Sequence, residues 1–428
     1  MPRVTRRTLL TSGSLTLGGA VLSNVLRLRA AEPARSRSTS VIFVSMGGGA
    51  SQFETFDPKP DAPAEYRGEF AAISTALPGF QFCELLPELA KAASRLAIVR
   101  SVHHEQASHI AEHIVETGYD LTNFGSTREG DMPSIGSAVS RVRGAGGSSG
   151  IPAYVSLPRH HAYSSPHWLG AQHHFFAVDA DPNEATFAVD NLAISNSLTI
   201  DRLRDRRALQ AAFGARSPLE DRHGAAGVID AFSQQAFDLI TGEKARRAFR
   251  IGDEDPRLRD RYGRNVFGQR LLLARRLVEA EVPYVTVRMF DWDDHAELPK
   301  LMRVRGPMFD TGVAALIDDL HQRGMERDVL VVAMGEFGRT PRINPNRGRD
   351  HYPGVNSILL SGGRYQMGQV IGATDRHGIA VSHAPYRPQN VITMVYQHLG
   401  IDAGMAFKDY SGRPRYLLEE RGVIKELV

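Results

Sequence analysis

The stretch "GEFGRTPRINPNRGRDHYPG", Gly335 to Gly354, gathers Glu336, Arg339, Asp350 and His351 in one short segment. It follows "VLVVAM", Val329 to Met334, an apolar run of the right length for a buried strand. Carboxylates and imidazoles at a strand end can ligate a metal ion. Arg339, Arg342, Arg347 and Arg349 suit a phosphate or sulfate dianion, which a guanidinium grips as a fork, or they pair with neighbouring acids. A second group is "FDWDDHAE", where Asp291, Asp293, Asp294 and His295 follow the strand-like "PYVTVRMF". Mixed oxygen and nitrogen donors suit Zn²⁺ or Mn²⁺, and all-oxygen sets suit Ca²⁺ or Mg²⁺. The same residues would also serve as an acidic helix cap.

A third group is "HHEQASHIAEH", with His103, His104, His109 and His113. His109 and His113 are four apart on an expected helix, a spacing that places both on one face and can ligate a metal. Ser108 opens that helix, either as its N-cap or as a nucleophile at the helix's positive end. Five more histidines lie in "HHAYSSPHWLGAQHHFF", an irregular stretch with aromatics. They could line a pocket or act separately in loops.

The elements that must carry these groups alternate. "STSVIFVSMGGGAS" reads as a buried strand ending in a tight glycine turn. A helix and a strand ending near Val102 precede the histidine-rich stretch, and Gly118 stops the next helix. "PAYVSL", "PYVTVRMF", "DVLVVAM" and "SILLSGG" read as further strands. Helical patterns lie between them, including "GRNVFGQRLLLARRLVEA" and "MFDTGVAALIDDLHQRG". Such alternation predicts an α/β fold: a mostly parallel sheet with helices on both faces. In that architecture ligands gather outside the carboxyl ends of the strands, where the candidate groups lie.

Composition narrows the class. The chain has 428 residues, a net charge of +3 and one cysteine, Cys83. No intramolecular disulfide or cysteine-built metal site can form. Arginines and acids alternate through the middle of the chain ("DRLRDRR", "DPRLRDRYGR"), the pattern of solvated helix faces rather than of a nucleic-acid-binding surface. Residues 1–31 read as a twin-arginine-type signal peptide. "TRRTLL" carries Arg6 and Arg7, a weakly apolar stretch follows, and small residues at Ala30 and Ala31 suit cleavage. The stretch is too short and too weakly apolar for a stable membrane span. The expected location is therefore the periplasm or cell surface. Residues 38–428 read as one α/β domain with a helical, charged insertion at about 197–276.

Several stretches resemble the DUF1501 family of exported bacterial proteins, grouped with the alkaline phosphatase/sulfatase superfamily. They include "MGGGASQFETFDPKPDAP", "PSIGSAVS", "WLGAQHHFFAVDADP", "RYGRNVFGQRLLLARRLVEAEVPYVTV", "WDDH", "VVAMGEFGRTPRINPNRGRDHYPG", "QVIGATDRHG" and "VITMVYQHLGI". The resemblance implies an alkaline phosphatase-like fold and a divalent-metal-dependent hydrolase acting on an anionic sulfate or phosphate ester, either a small molecule or a polysaccharide. A non-catalytic binding or structural protein on the same fold is the alternative. The implied ligands are Asp293 (or Asp291), His295, Glu336 and His351, with Asp350 beside them. Ser108 is the implied nucleophile, since it lies nine residues before the Thr117–Gly118 pair. Arg339 and Arg349 are the implied anion-binding groups. Zn, Ca, Mg and Mn all remain open as the metal. Two positions depart from the superfamily pattern. Met46 and Gly47 stand where it has an Asp after the first strand, so that Glu54 or Asp57 would have to reach in, and Phe337 stands in place of a ligating His.

Overall fold

A computed structural model describes residues 39–121, 132–146, 150–159, 162–189, 234–289 and 291–428, with positions 202 and 205. The expected signal peptide and most of the first half of the expected insertion lie outside the described residues. The described part of that insertion contains short helices at Glu243–Phe249 and Pro256–Arg261, ahead of a longer one.

Eight strands form one sheet. They are β1 (Ser40–Met46), β2 (Leu96–Val102), β3 (Tyr154–Leu157), β4 (Phe176–Ala177), β5 (Tyr284–Met289), β6 (Val329–Met334), β7 (Asn356–Gly362) and β8 (Gln369–Ile371). Their spatial order is β8-β2-β7-β6-β1-β5-β3-β4. All pairings are parallel except those of β7, which runs against both β2 and β6. The reason is local. Residues 335–355 stay at the carboxyl edge after β6 instead of crossing to the opposite edge, so the next strand has to run back.

Every residue of β1, β5 and β6 is buried, which explains why they read as apolar runs. Alternate side chains of β1 serve different faces. Ile42, Val44 and Met46 pack with helices α1 (Pro87–Lys91), α4 (Val266–Glu279) and α5 (Leu298–Gln322), through residues such as Leu271, Phe309 and Val313. Val41 and Phe43 face α3 (Ile135–Arg143) and α6 (Pro388–His398), through Ile135, Val139, Val391 and Val395. Helix α2 (Ala111–Thr117) ends at Gly118, whose φ of 83° is the left-handed geometry of a helix stop. Ser134 and Asn265 cap α3 and α4 by accepting from the backbone N–H of Ser137 and Gly268. Cys83 is buried, and that burial pushes its thiol up to about 12. Among the described residues, no helix is long and apolar enough to cross a membrane.

The three central strands end level with one another. Met46 lies opposite Met289, and Ser45 lies opposite Met334. The loops that begin at Gly47, after Met289 and at Gly335 therefore leave the sheet side by side.

Candidate metal centre

The loop after β1 is made of glycines because other loops lie against it. Gly48 has φ +106°, and a Cβ there would sit 2.6 Å from the backbone nitrogen of Asp293. At Gly49, with φ +84°, a Cβ would sit 2.5 Å from the Phe337 ring. The chain can thus pass close under both neighbouring loops. The Gly48 N–H donates to both carboxylate oxygens of Glu336, at 3.0 and 3.1 Å.

The loop after β5 is anchored by Trp292. Its ring is buried against Phe309, and the Trp292 backbone N–H donates to the Gly47 carbonyl. Of the three aspartates in "DWDDH", only Asp293 reaches the cluster. Asp294 turns inward to Arg305 at 2.6 Å, and burial raises its pKa. Asp291 is exposed, in left-handed backbone, with no side-chain contact to the cluster among the described residues.

The loop after β6 folds back on itself. Gly338–Arg339 pairs antiparallel with His351–Tyr352, with His351 opposite Arg339. This carries His351 over Asp293, so that its Nε2 is 2.9 Å from Asp293 Oδ1. His295 Nε2 lies 3.0 Å from the same oxygen and 3.0 Å from His351 Nε2. From the loop after β2, His109 brings its Nε2 to 3.3 Å from Asp293 Oδ2. His109, Asp293 and His351 offer ligand atoms that all lie within 4.8 Å of one another, the spacing of a shared metal ion.

The other nitrogen of each ring is tied to an acceptor. His109 Nδ1 is 2.8 Å from Glu336 Oε1, and His295 Nδ1 is 2.8 Å from Asp350 Oδ1. His351 Nδ1 is 2.9 Å from the Ala107 carbonyl oxygen. A carboxylate or carbonyl can only accept, so each Nδ1 carries a proton, and a neutral ring in this tautomer presents a lone pair at Nε2. All three Nε2 atoms face the Asp293 carboxylate, which is an acceptor. Either a proton on Nε2 or a shared cation satisfies these atoms at such distances. Atoms bound to a tetrahedral zinc at 2.0–2.2 Å are about 3.3–3.6 Å apart, close to the spacing here. The residues present fit a divalent ion.

Charge points the same way. Arg339 donates to Asp293 Oδ1 at 2.5 Å and pins it from below. Burial works against the charge on Asp293, but hydrogen bonds from Arg339 and His351 outweigh it and hold the carboxyl well below its usual range. The Glu336 hydrogen bond raises the pKa of His109, with Asp293 adding to it. His295 lowers the pKa of Asp350. With neutral rings, Asp293, Glu336, Asp350 and Arg339 leave two negative charges, which one divalent ion balances. The cluster is open to solvent: His109 is 48% exposed and Asp293 39%.

Arg349 sits elsewhere. Its fully buried guanidinium donates to Glu54 and to the carbonyls of Thr340, Pro341 and Tyr66, and it lies over the Phe53 ring. All five of its donors are used inside the protein. Arg339 is equally buried and spends its fork on Asp293 and the carbonyls of Gly48, Gly49, Trp292 and Arg349. Glu54 is thereby held away from the cluster. Asp57 is too, by Lys59, Arg100 and Thr374. Ser108 Oγ donates to Gln106 Oε1 at 2.9 Å, between Ala107 and His109, which both serve the cluster. Phe337 is buried and walls the site, 4.5 Å from the His351 ring.

His109 was legible only as one of several histidines, and its expected partner was different. The helix begins at Ala111, so His109 precedes it and shares no helical face with His113. His113 is buried, with its Nδ1 on the Tyr119 carbonyl. In the histidine-rich stretch, His173 is buried against Ser140 and the His174 ring lies tilted against Phe175, so these two act separately.

The molecule is an α/β protein with an imidazole–carboxylate cluster at the carboxyl edge of its sheet. Residues 38–428 match the family described as a protein of unknown function, DUF1501, and the chain belongs to that family. No curated protein matches the sequence. Among solved structures, the chain is similar to a sulfatase from Pseudoalteromonas sp., at 14% identity and TM-score 0.42, over 93% of this chain and 75% of that one. It is also similar to a phosphonate monoester hydrolase from Silicibacter pomeroyi, at 12% identity and TM-score 0.37, over 87% and 76%. A protein in the alkaline phosphatase superfamily from Vibrio parahaemolyticus is a third, at 8% identity and TM-score 0.38, over 86% and 67%.

Proposed function

We propose that this protein is a metal-dependent hydrolase of anionic esters, with sulfate or phosphate esters as the substrate class. The observation that carries the reading is the convergence of three Nε2 atoms on the Asp293 carboxylate, each ring fixed through its Nδ1. A bound divalent ion supplies Lewis acidity toward an ester oxygen and offsets charge that develops there. The chain's own residues do the rest. Arg339 keeps Asp293 ionised and oriented. Phe337 keeps water from the buried side of the His351 ring. Ser108, on the loop that presents His109, would supply the nucleophile or position water.

The test is a metal assay on purified protein, combined with turnover of 4-nitrophenyl sulfate and 4-nitrophenyl phosphate before and after chelation. The reading expects about one ion per chain and turnover that chelation abolishes and Ser108→Ala reduces. Bound metal without turnover of either ester class would leave the second reading, a binding or structural protein on the same fold. The use of all five Arg349 donors inside the protein favours that alternative, because none of them is left for an anion. Export by the folded-protein route is part of the proposal and rests on Arg6 and Arg7. Changing both to Lys should leave the full-length precursor in the cytoplasm, and a shortened product outside it would refute that part.

A further inference from the structure

We infer that Glu336 and Asp350 position ligand imidazoles without touching the ion, so that the centre takes a zinc-type transition ion in preference to calcium or magnesium. The inference rests on the metal centre proposed above and adds the division of labour within it. Glu336 is buried, and its carboxylate is shared between the Gly48 N–H and the Nδ1 of His109. An imidazole directs its two nitrogens to different edges of the ring, so a carboxylate hydrogen-bonded at Nδ1 does not also reach the point that Nε2 faces. Asp350 has the same relation to His295, and its Oδ1 also accepts from Asn344 at 3.2 Å.

What remains to touch an ion is Asp293 with the Nε2 atoms of His109 and His351, and the His295 Nε2 beside them. Calcium takes six to eight oxygens, and magnesium demands an octahedral oxygen shell. Imidazole donors suit zinc, cobalt, nickel and copper. Buried Glu336 and exposed Asp350 hold the rings in the ligating tautomer and raise their basicity, as outer-shell partners of ligating histidines do. Phe337, packed against both the His109 and His351 rings, adds an apolar wall that offers no oxygen ligand.

The experiment uses the full folded chain, stripped with a chelator and titrated with Co²⁺, Zn²⁺, Ca²⁺ and Mg²⁺. Calorimetry and the visible spectrum of bound Co²⁺ are the readouts. One Co²⁺ or Zn²⁺ per chain is expected, undisplaced by millimolar Ca²⁺ or Mg²⁺. Glu336→Gln and Asp350→Asn should each weaken Co²⁺ binding by about 10–100-fold while leaving the stoichiometry and the spectral band positions in place. His351→Ala, which removes a ligand, should change the band positions or abolish binding. If Glu336→Gln alters the spectrum as His351→Ala does, Glu336 is a ligand and the inference is wrong. Tight calcium binding would also overturn it, yet would leave the metal centre standing. Failure to bind any of the four ions would overturn both. If Glu336→Gln does not fold, Asp350→Asn, on the exposed side of the cluster, decides the question of positioning.

Discussion

His109 Nδ1 lies 2.8 Å from Glu336 Oε1, although 227 residues separate them in the chain. That contact fixes the His109 ring, and with it one wall of the cluster around Asp293. It also ties the loop after β2 to the loop after β6 across the width of β7. The stability of the site and the stability of the sheet's carboxyl edge are therefore linked.

The first consequence concerns His351. Its Ala variant should lose bound metal and also the part of the thermal stability that depends on metal. At a free ion concentration 100 times the dissociation constant, that part is about 2.7 kcal/mol. Scanning calorimetry with and without zinc checks it. Equal zinc-induced shifts in melting temperature for variant and parent would remove His351 from the site.

Gly48 offers a test of the backbone. Gly48→Ala places a Cβ against the Asp293 nitrogen at φ +106°. A loss of roughly 1–3 kcal/mol is expected for the strained backbone, with weaker metal binding as the Asp293 loop is pushed outward. Denaturant unfolding and metal titration report the two effects. A variant with unchanged stability and affinity would mean that the two loops do not press on each other.

Arg349 separates two roles. As a buried pin on Glu54, its replacement by Met should cost about 3–5 kcal/mol, because it strands a buried carboxylate. The double variant with Glu54→Gln should recover part of that loss. An anion-binding role would instead leave stability near that of the parent and raise KM. Urea unfolding alongside steady-state kinetics distinguishes the two.

Asp310 gives a dependence on pH away from the metal centre. It accepts from the backbone N–H groups of Glu88 and Leu89 at the start of α1, and burial raises its pKa to about 6. Because the folded value lies above the unfolded value, its contribution is fully present below about pH 4 and is lost as pH rises through about 6. Asp310→Asn cannot ionise, so its unfolding free energy should fall less between pH 4 and 7 than that of the parent. Parallel stability curves over that range would contradict the assignment.

Much of this protein was legible in its sequence, because buried strands and their ends leave local marks. The apolar runs of β1, β5 and β6 need no partner to be recognised. The glycines after β1 mark a close backbone approach. "DWDDH" and "GRDH" stand where a parallel sheet gathers ligands, and the strand-bounded loop from Gly335 to Gly354 had to remain at that edge. Tertiary structure decided what each side chain does there. Nothing local distinguishes Asp293 from Asp294 or Asp291; the direction of each depends on Arg339, 46 residues away, and on Arg305. Arg349 reads as an anion-binding group until Glu54, 295 residues away, turns out to hold it in the interior. His109 becomes a candidate ligand only because Glu336 orients its ring and the sheet brings Asp293 to it. Patterns along the chain record which residues are buried and where strands stop. Long-range hydrogen bonds between charged side chains select which polar groups converge, and those partners lie far apart in sequence.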